Sequence, residues 1–418
     1  MYKITIILTL ILSITACGTN PVTGKSQLTL MSPEQELAIG EQQYSPSLQS
    51  QGGSYLIDKS LNAYINRIGQ KLAKKSAQPN LPYEFVVINN DVPNAWALPG
   101  GKIAINRGLL VLLEDEAQLA AVLGHEVVHA AARHGAEQHA TGTLWQGGAV
   151  LASAFSDNQL YRQAAGALAM GATARYGRDN ELEADKYGME IMSAAGYDVN
   201  GAVELQQTFV ALAKKSGRQN DAFSNFFASH PPSEERVAKN QNRVKRFPKG
   251  VRNRQAYLNA TRQIRRDQPA YKKHQEALAA AGKKDWKTAM TRTNQAIRIQ
   301  PREARFQITK GRLHNRAKQN KSAISAFSKA IKLEPSFFIP RLYRGLVYNE
   351  LKNYTRAEAD LSASYKTLQT QVAAFYLGEI AQRNKQRDKA INYYRQAAQG
   401  GGKYGKEASG RLQRLGIR

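Results

Sequence analysis

The pattern His125-Glu126-Val127-Val128-His129 places two imidazoles and one carboxylate within about one helical turn. Residues four apart lie on the same face of an α-helix, so His125 and His129 can each offer a ring nitrogen to one zinc ion. Glu126 directly follows His125 and can act as general base toward a water molecule whose pKa the metal has lowered. These residues therefore predict a hydrolytic site with one zinc ion per chain.

The surrounding sequence predicts the helix that this chemistry needs. Residues 117–133 contain several Ala and Leu and no Pro, and acidic residues at 114–116 precede them, as is typical of a helix N-terminus. The segment is otherwise apolar, so the two histidines and Glu126 would face a core unless a ligand engages them. We expect Gly135 to cap the helix at its C-terminus and His134 to face solvent.

A catalytic zinc ion usually has three protein ligands, and the pattern supplies only two. Glu181, fifty-two residues after His129 on a later predicted helix, is the best candidate for the third. Glu183 is the alternative, but it lies two residues further and therefore on a different face of that helix. We expect Glu183 to be an exposed or structural carboxylate.

H-E-x-x-H followed by Glu181-Leu-Glu-Ala-Asp185 resembles the gluzincin peptidases of the CAAX prenyl protease/HtpX family. The resemblance covers roughly residues 20–250. Its other elements are Asn20-Pro21-Val22-Thr23-Gly24, the strand and turn Asn94 to Gly101, Leu123-Gly124 and His230-Pro231. It implies a zincin-type α+β metallopeptidase domain with a small β-sheet.

By position in the motif, the resemblance implies that His125, His129 and Glu181 are the zinc ligands and that Glu126 is the base. It also implies that Asp185, one helical turn after Glu181, is hydrogen-bonded to a ligand histidine and fixes its tautomer. These assignments describe a zinc metalloendopeptidase that hydrolyses peptide bonds.

Two further parts of the site follow from the same resemblance. His230 would lie near the zinc, where it would either stabilise the tetrahedral oxyanion or occupy the open metal position and keep the enzyme latent. A structural role before Pro231 is the alternative. The strand with Trp96, Ala97 and Leu98 would be an edge to which an extended substrate adds as one more strand.

The N-terminus reads as an export signal. Lys3 precedes the mostly apolar run 4–14, and Ile14-Thr15-Ala16-Cys17 resembles the lipobox of bacterial lipoproteins. Cys17 is the sole cysteine, so we expect it to be lipidated rather than paired. Gly18 rather than Asp follows it, which predicts a lipoprotein anchored to the outer membrane and facing the periplasm.

Charge divides the chain into two parts. Residues 251–418 hold 36 Lys and Arg against 11 Asp and Glu, a net of +25, whereas residues 1–250 hold 23 against 22. A basic half is typical of nucleic-acid binding, but an exported lipoprotein seldom meets nucleic acid, so we expect no such partner. Anionic lipid head groups or acidic proteins are the expected partners, and a merely solvated surface is the alternative.

The basic half repeats with a period of 34 residues, which matches the tetratricopeptide pattern. Small residues recur where two helices would touch, and prolines recur at the repeat boundaries; they are Ala289, Ala323, Ala357 and Ala390, Gly311, Gly345 and Gly378, and Pro301 and Pro335. Helix pairs of this kind bury their apolar faces only by stacking. We therefore predict a signal peptide over 1–17, a metallopeptidase domain over 18–250, and an all-α solenoid of about four repeats over 251–418.

The family resemblance, together with the predicted lipid anchor and repeats, implies that this mainly α chain is a periplasmic zinc peptidase that degrades unfolded or misassembled outer-membrane proteins and assists their assembly. Its tetratricopeptide groove would bind the outer-membrane assembly machinery or substrate, and the lipid at Cys17 would bind the membrane. The competing hypothesis is an assembly chaperone or scaffold whose peptidase site is mostly closed.

Overall fold

The computed structural model describes residues 17–138, 140–141, 176–216, 224–400 and 402–417. By its internal contacts the chain divides into two compact units, one of residues 1–44 and 58–263 and the other of residues 45–57 and 264–418. Within the described part, no helix has the length and apolarity that a membrane crossing requires. Residues 1–16, which carry most of the predicted export signal, lie outside the described residues.

The strands of the first unit form two small sheets. They are β1 Cys17–Thr19, β2 Ser26–Leu28, β3 Glu84–Ile88, β4 Ala95–Leu98 and β5 Lys102–Asn106.

β1 and β2 form an antiparallel pair, and the second sheet has the order β3-β5-β4. β5 runs parallel to β3 and antiparallel to β4. The turn from β4 to β5 contains Gly100 and Gly101, whose φ angles of 78° and 82° favour glycine. Among the described strands, β4 pairs with β5 only and therefore forms an edge of the sheet.

Helices make up most of the remaining described residues. Helices α1 to α10 are Pro33–Gln51, Lys59–Ala73, Arg107–Leu110, Glu116–Ala131, Arg178–Ala194, Asn200–Ser216, Ser224–Ser229, Glu234–Val244, Arg254–Ala260 and Arg262–Arg266. Helices α11 to α19 are Gln268–Gly282, Trp286–Ile299, Ala304–Arg316, Asn320–Leu333, Phe338–Glu350, Tyr354–Thr367, Gln371–Arg383, Arg387–Ala398 and Gly402–Arg414. The predicted class, mainly α with a small mixed sheet in the first part and stacked helices in the second, is confirmed.

Helix α4 carries the H-E-x-x-H pattern and is fixed at both ends. At its start the Asp115 carboxylate accepts a hydrogen bond from the Gln118 backbone N–H at 2.9 Å, which satisfies one of the unpaired amides there. At its end Arg133, with φ 62°, takes the left-handed conformation, so the predicted cap at Gly135 is wrong. The Arg133 side chain donates to Glu36 at 2.8 Å and to the Met31 carbonyl at 3.0 Å, and these contacts hold the turn in place.

Helices α4 and α5 cross closely at two glycines. A Cβ atom on Gly124 would lie 3.2 Å from the Gly188 carbonyl oxygen, and one on Gly188 would lie 3.2 Å from the backbone nitrogen of His125. Both distances are tighter than ordinary van der Waals contact. The glycines thus allow the backbone of α4 at His125 to approach α5 directly.

The second unit contains four antiparallel helix pairs, α11 to α18, followed by α19. Ala289, Ala323, Ala357 and Ala390 are all fully buried, as expected for the small residues of a tetratricopeptide stack. A Cβ on Gly311 would lie 2.5 Å from the Phe327 ring, so a small residue here makes room for an aromatic one. The helix pairing predicted from the 34-residue period is confirmed.

Residues 45–57 pack on these repeats although they are distant in sequence. The side-chain oxygen of Gln49 accepts a hydrogen bond from the Phe338 backbone N–H at 3.1 Å. Gly53 faces the buried Glu334 carboxylate so closely that a Cβ would lie 2.5 Å from its Oε1 atom. Burial, together with the negative charge of Glu303, raises the pKa of Glu334 to about 8.

Candidate metal centre

Four side chains converge within the first unit. His125, His129, Glu181 and His230 each offer one ligand atom, and these atoms all lie within 4.8 Å of one another. His129 Nε2 lies 3.0 Å from His125 Nε2 and 3.3 Å from Glu181 Oε1. His230 Nδ1 lies 3.0 Å from Glu181 Oε1 and 3.4 Å from His125 Nε2.

The donor set fits a zinc ion. Imidazole nitrogens and carboxylate oxygens are the ligands that zinc binds in tetrahedral sites. Three imidazole nitrogens and one carboxylate face a single point here. His125 Nε2 and His129 Nε2 lie 3.0 Å apart, and at most one of the two can carry a hydrogen toward the other. A single cation at that point satisfies them together.

Three separate elements supply these side chains. His125 and His129 lie four residues apart on α4, Glu181 lies in the first turn of α5, and His230 lies between α7 and α8. His129, Glu181 and His230 are buried, and His125 is slightly accessible. His125 and His129 are far from Glu181 in sequence, and the close crossing of α4 and α5 brings them together.

Asp185 contacts the cluster from behind. Its Oδ1 atom lies 3.2 Å from His125 Nδ1, on the opposite side of the ring from the metal-facing nitrogen. Burial alone would favour its neutral form, but Arg236, and then His125, lower the pKa of Asp185 far below its ordinary value. An ionised Asp185 accepts a hydrogen bond at His125 Nδ1 and leaves His125 Nε2 available to a metal.

Arg236 also contacts the cluster, although no role was predicted for it from the sequence. Its guanidinium donates to both Asp185 oxygens at 2.7 Å and to the Pro231 carbonyl at 3.1 Å. It also forms an ion pair with Glu181 at 2.6 Å. The one signal for Arg236 was its place in the first turn of the helix after His230-Pro231, where the Ser233 side chain caps its backbone N–H at 3.2 Å.

The electrostatics of the cluster favour an ionised Glu181. Burial opposes its charged form, but His230 and His125 outweigh this and hold the pKa of Glu181 well below the ordinary value. Burial likewise lowers the pKa of His129, which favours its neutral, metal-binding form. Burial lowers the pKa of His125, but Glu181 and Asp185 outweigh it and raise that pKa to about 10, so a metal that binds His125 Nε2 displaces a proton.

Glu126 is buried beside the cluster. Burial is the main cause that raises the pKa of its carboxyl group. Its Oε1 atom lies 3.6 Å from His230 Nε2. Its Oε2 atom has no hydrogen-bond partner among the residues that the structure describes, so an acceptor is available next to the metal position.

Two pockets border the cluster. One adjoins His125, Glu126 and His230, and its apolar lining includes Met189, Met192, Leu205 and Phe209. The other lies between the end of the edge strand and α4, and its lining includes Ala97, Leu98, Pro99, His129 and Tyr176.

The second pocket places the edge strand close to a predicted zinc ligand. Ala97 and Leu98 of β4 share it with His129, and Trp96 precedes them in the same strand. The Tyr176 ring stacks on the His129 ring with centroids 3.9 Å apart. The predicted substrate-binding strand is therefore adjacent to the cluster.

His134 does not face solvent, contrary to the expectation from sequence. It is fully buried, and its Nδ1 atom lies 2.9 Å from His129 Nδ1. Glu183 lies on a different face of α5 from Glu181, as expected, and its Oε1 atom is 3.2 Å from His134 Nε2.

Comparison with known proteins agrees with this site. Residues 59–244 match the model of peptidase family M48, and residues 304–337 match a tetratricopeptide repeat model.

Three relatives illustrate the range of similar proteins. The beta-barrel assembly-enhancing protease of Escherichia coli is 29% identical over 239 residues, which are 55% of this chain and 48% of the relative. The mitochondrial metalloendopeptidase OMA1 of Schizosaccharomyces pombe is 31% identical over 222 residues, 52% of this chain and 64% of that protein. Metalloprotease YcaL of Escherichia coli is 32% identical over 187 residues, 43% of this chain and 71% of that protein.

The chain spans about half the length of the beta-barrel assembly-enhancing proteases that it matches. It covers more than two thirds of YcaL, and the matched family model includes the whole H-E-x-x-H helix and Glu181. The chain therefore belongs to the M48 family of metallopeptidases and carries tetratricopeptide repeats in its second half.

Proposed function

We propose that the chain is a zinc-dependent metalloendopeptidase. The observation that carries this proposal is the convergence of His125, His129 and Glu181 on one point, with the Glu126 carboxylate beside it. These residues supply three protein ligands and a base, which is the composition of a catalytic rather than a structural zinc site.

His125 Nε2, His129 Nε2 and a Glu181 oxygen would hold the ion. Zinc held there would supply Lewis-acid chemistry, lowering the pKa of water and polarising the carbonyl of the peptide bond. Glu126 takes the proton from the attacking water and delivers it to the departing amine nitrogen. Asp185 keeps the His125 ring oriented through its contact at Nδ1.

His230 is the residue whose position favours a regulated site. Its Nδ1 atom approaches Glu181 and His125 as closely as the ligands approach each other. We propose that His230 is a fourth zinc ligand at rest and leaves when substrate binds. His230→Ala then raises hydrolysis; a deep loss would instead assign His230 to oxyanion stabilisation, and an unchanged rate would leave only a structural role.

The substrate would be an extended peptide. Among the described strands β4 pairs with β5 only, and an added strand would lie along its other side beside Trp96, Ala97 and Leu98. The apolar pocket beside Glu126, lined by Met189 and Phe209 among others, would accept an apolar side chain near the cleaved bond. Together they favour unfolded segments that alternate apolar and polar residues, as membrane β-strands do.

We further propose that the chain acts on misassembled outer-membrane proteins from a periplasmic lipid anchor at Cys17. The lipobox pattern Ile14-Thr15-Ala16-Cys17 and the resemblance to a protein named beta-barrel assembly-enhancing protease support this. The basic repeats would bind substrate or the assembly machinery. OMA1 and YcaL are also relatives, so this assignment of compartment and substrate rests on the lipobox in particular.

A second candidate function is an assembly scaffold with a mostly closed peptidase site. The position of His230 among the ligands favours it.

One experiment separates the two candidates. Protein from Gly18 onward, as wild type and as Glu126→Gln, is assayed for bound metal and for hydrolysis of an unfolded protein. Stoichiometric zinc with hydrolysis lost in the variant supports the peptidase. Zinc without hydrolysis in the wild type supports the scaffold, and a wild-type protein without metal contradicts the site itself.

A further inference from the structure

A network of hydrogen-bonded polar side chains extends from His129 Nδ1 to the N-terminal segment. His129 Nδ1 lies 2.9 Å from His134 Nδ1, and His134 Nε2 lies 3.2 Å from Glu183 Oε1. The Asn20 side-chain amide donates to the same Glu183 oxygen at 2.7 Å. The peptidase chemistry uses none of His134, Glu183 and Asn20.

The positions of the ring hydrogens in this network follow from the groups at its two ends, the metal position beside His129 and the Glu183 carboxylate. His129 Nε2 faces the metal position, and a neutral imidazole carries one hydrogen, so that hydrogen lies on His129 Nδ1 and is donated to His134 Nδ1. His134 must then carry its own hydrogen on Nε2, where Glu183 accepts it. Each contact therefore has one donor and one acceptor, without conflict.

The orientation of the Asn20 amide is fixed independently. Its Oδ1 atom accepts from the backbone N–H groups of Val22 and Thr23, at 2.9 and 3.2 Å. The amide nitrogen must then point the other way, toward Glu183. The turn itself is closed by the Gly24 backbone N–H, which donates to the Asn20 carbonyl at 2.8 Å. The stretch Asn20-Pro21-Val22-Thr23-Gly24 therefore forms a turn that positions the Asn20 amide.

Burial strengthens the hydrogen bonds of this network. His134 is completely buried, Asn20 is buried, and the Glu183 side chain retains 20% of its exposure. Hydrogen bonds to a carboxylate in such surroundings are stronger than neutral ones and costly to leave unmade. A ring held this way cannot rotate or exchange its tautomer without losing them.

We propose that His134, Glu183 and Asn20 are positioning residues of the metal site, which hold His129 in the orientation and tautomer that bind zinc. This inference rests on the proposed zinc site and adds to it a link to the N-terminal turn. Each of the two ligand histidines of α4 then has a carboxylate behind it. Asp185 contacts His125 directly, and Glu183 reaches His129 through His134.

The test measures zinc affinity by competition with a chromophoric chelator, together with thermal unfolding in the presence of excess chelator. His134→Leu removes both hydrogen bonds and should weaken zinc binding by about 10- to 100-fold, the range for groups behind a ligand. His134→Gln retains one acceptor and one donor and should recover part of that loss. Glu183→Gln keeps the side-chain shape, loses the charge, and should weaken binding by about tenfold.

The matched control is Glu190→Gln, the same change on an exposed position of α5, which should leave zinc affinity unchanged. Asn20→Ala should have a smaller effect than Glu183→Gln, because it removes one hydrogen bond to that carboxylate and leaves its charge. If His134→Leu fails to fold, Glu183→Gln and Asn20→Ala still decide the matter.

Wild-type zinc affinity in Glu183→Gln would overturn the proposal. So would a set of variants in which only the unfolding temperature with chelator falls, because that result describes a purely structural network. Because the readout is zinc affinity, a wild-type protein that binds zinc but fails to hydrolyse peptides contradicts the proposed peptidase function and leaves this inference standing.

Discussion

Two buried glutamates, one in each unit, take opposite ionisation states. Glu181 is 1% exposed and Glu334 is 4% exposed, so burial penalises a negative charge at both. Around Glu181, His230 and His125 overcome this penalty, and its pKa lies well below the ordinary value. Around Glu334, the nearby charge of Glu303 adds to the penalty, and its pKa rises to about 8.

The comparison shows that burial alone does not decide whether a carboxylate in this chain is charged, because charged partners can outweigh burial or add to it. In the metal cluster, histidines and Arg236 surround Glu181 and Asp185 and lower their pKa values, which favours the ionised forms that metal binding requires. The second unit has a large excess of cations, yet only Arg305 lowers the pKa of Glu334. Net charge of a region therefore says little about any one buried group in it.

Removing the charge from the first glutamate should have the largest effect. Glu181→Gln deprives the cluster of its anionic ligand, so we expect hydrolysis to be abolished and zinc affinity to fall by more than about 100-fold, beyond the range for groups behind a ligand. Chelator competition and hydrolysis of an unfolded protein measure the two effects. Glu190→Gln is the control, and zinc affinity within a few-fold of wild type in Glu181→Gln would remove Glu181 from the ligand set.

Removing the positive partner of a buried acid, rather than the acid itself, tests the same comparison. Arg236→Met leaves Asp185 and Glu181 buried with less positive charge around them. We expect the free energy of unfolding to fall by about 3–5 kcal/mol, as for other broken buried ion pairs. Hydrogen exchange of peptides from α5, with excess chelator present, measures this locally.

The matched control for Arg236→Met is Arg178→Met. Arg178 pairs with Glu235 on the surface, with 72% of its own side chain exposed, and exposed pairs contribute little to stability. Equal effects of the two substitutions would contradict the role given to burial and partners together.

Glu334 should make the second unit sensitive to pH. Its pKa is about 8 in the folded chain and 4.5 as the reference for an unfolded one, so between these values the folded state binds more protons. Stability therefore falls as pH rises from about 4.5 to about 8 and then levels off. Glu334→Gln, which stays neutral, should be more stable than wild type by about 1–3 kcal/mol at pH 8 and above, and similar to it near pH 4.5.

Hydrogen exchange of peptides from α14, compared between variant and wild type at each pH, measures this difference. Glu350→Gln, on an exposed position of α15, is the control. A difference that does not depend on pH would show that Glu334 keeps the same charge throughout.

The smallest effect concerns salt. Residues 251–418 carry a net charge of +25 and residues 1–250 a net of +1. Raising sodium chloride from about 0.05 M to about 0.5 M should screen repulsion and stabilise the repeats by less than about 1 kcal/mol. Exchange of peptides from α4 and α5 should not change, and a larger shift there than in the repeats would contradict this division of charge.

Patterns with a regular period were predictable from sequence. The H-E-x-x-H helix and the 34-residue repeats combine strong helix formers with fixed spacing, and both were found where expected. The burial of His134 was not predictable, because it depends on Arg133, whose left-handed conformation turns the chain back toward the core after α4 ends. A non-glycine residue in that conformation has no clear sequence signal.

Long-range partners were also beyond prediction. Arg236 lies fifty-one residues from Asp185, and no spacing rule connects a buried arginine to a carboxylate that it reaches through tertiary packing. The packing of residues 45–57 on the repeats is similar, since no spacing pattern connects Gln49 with Phe338, to which it is hydrogen-bonded. Both depend on how elements come together rather than on any one of them.

The crossing of α4 and α5 has a consequence for which ions the site can select. Gly124 directly precedes one ligand, and Gly188 lies seven residues after another, so the two glycines set the distance between helices that carry different ligands. Cavity size is one of the properties by which a site distinguishes ions of different radius. A methyl group at position 188 would lie 3.2 Å from the His125 backbone nitrogen, so two residues that bind no ion limit how closely the donor atoms of the two helices approach each other.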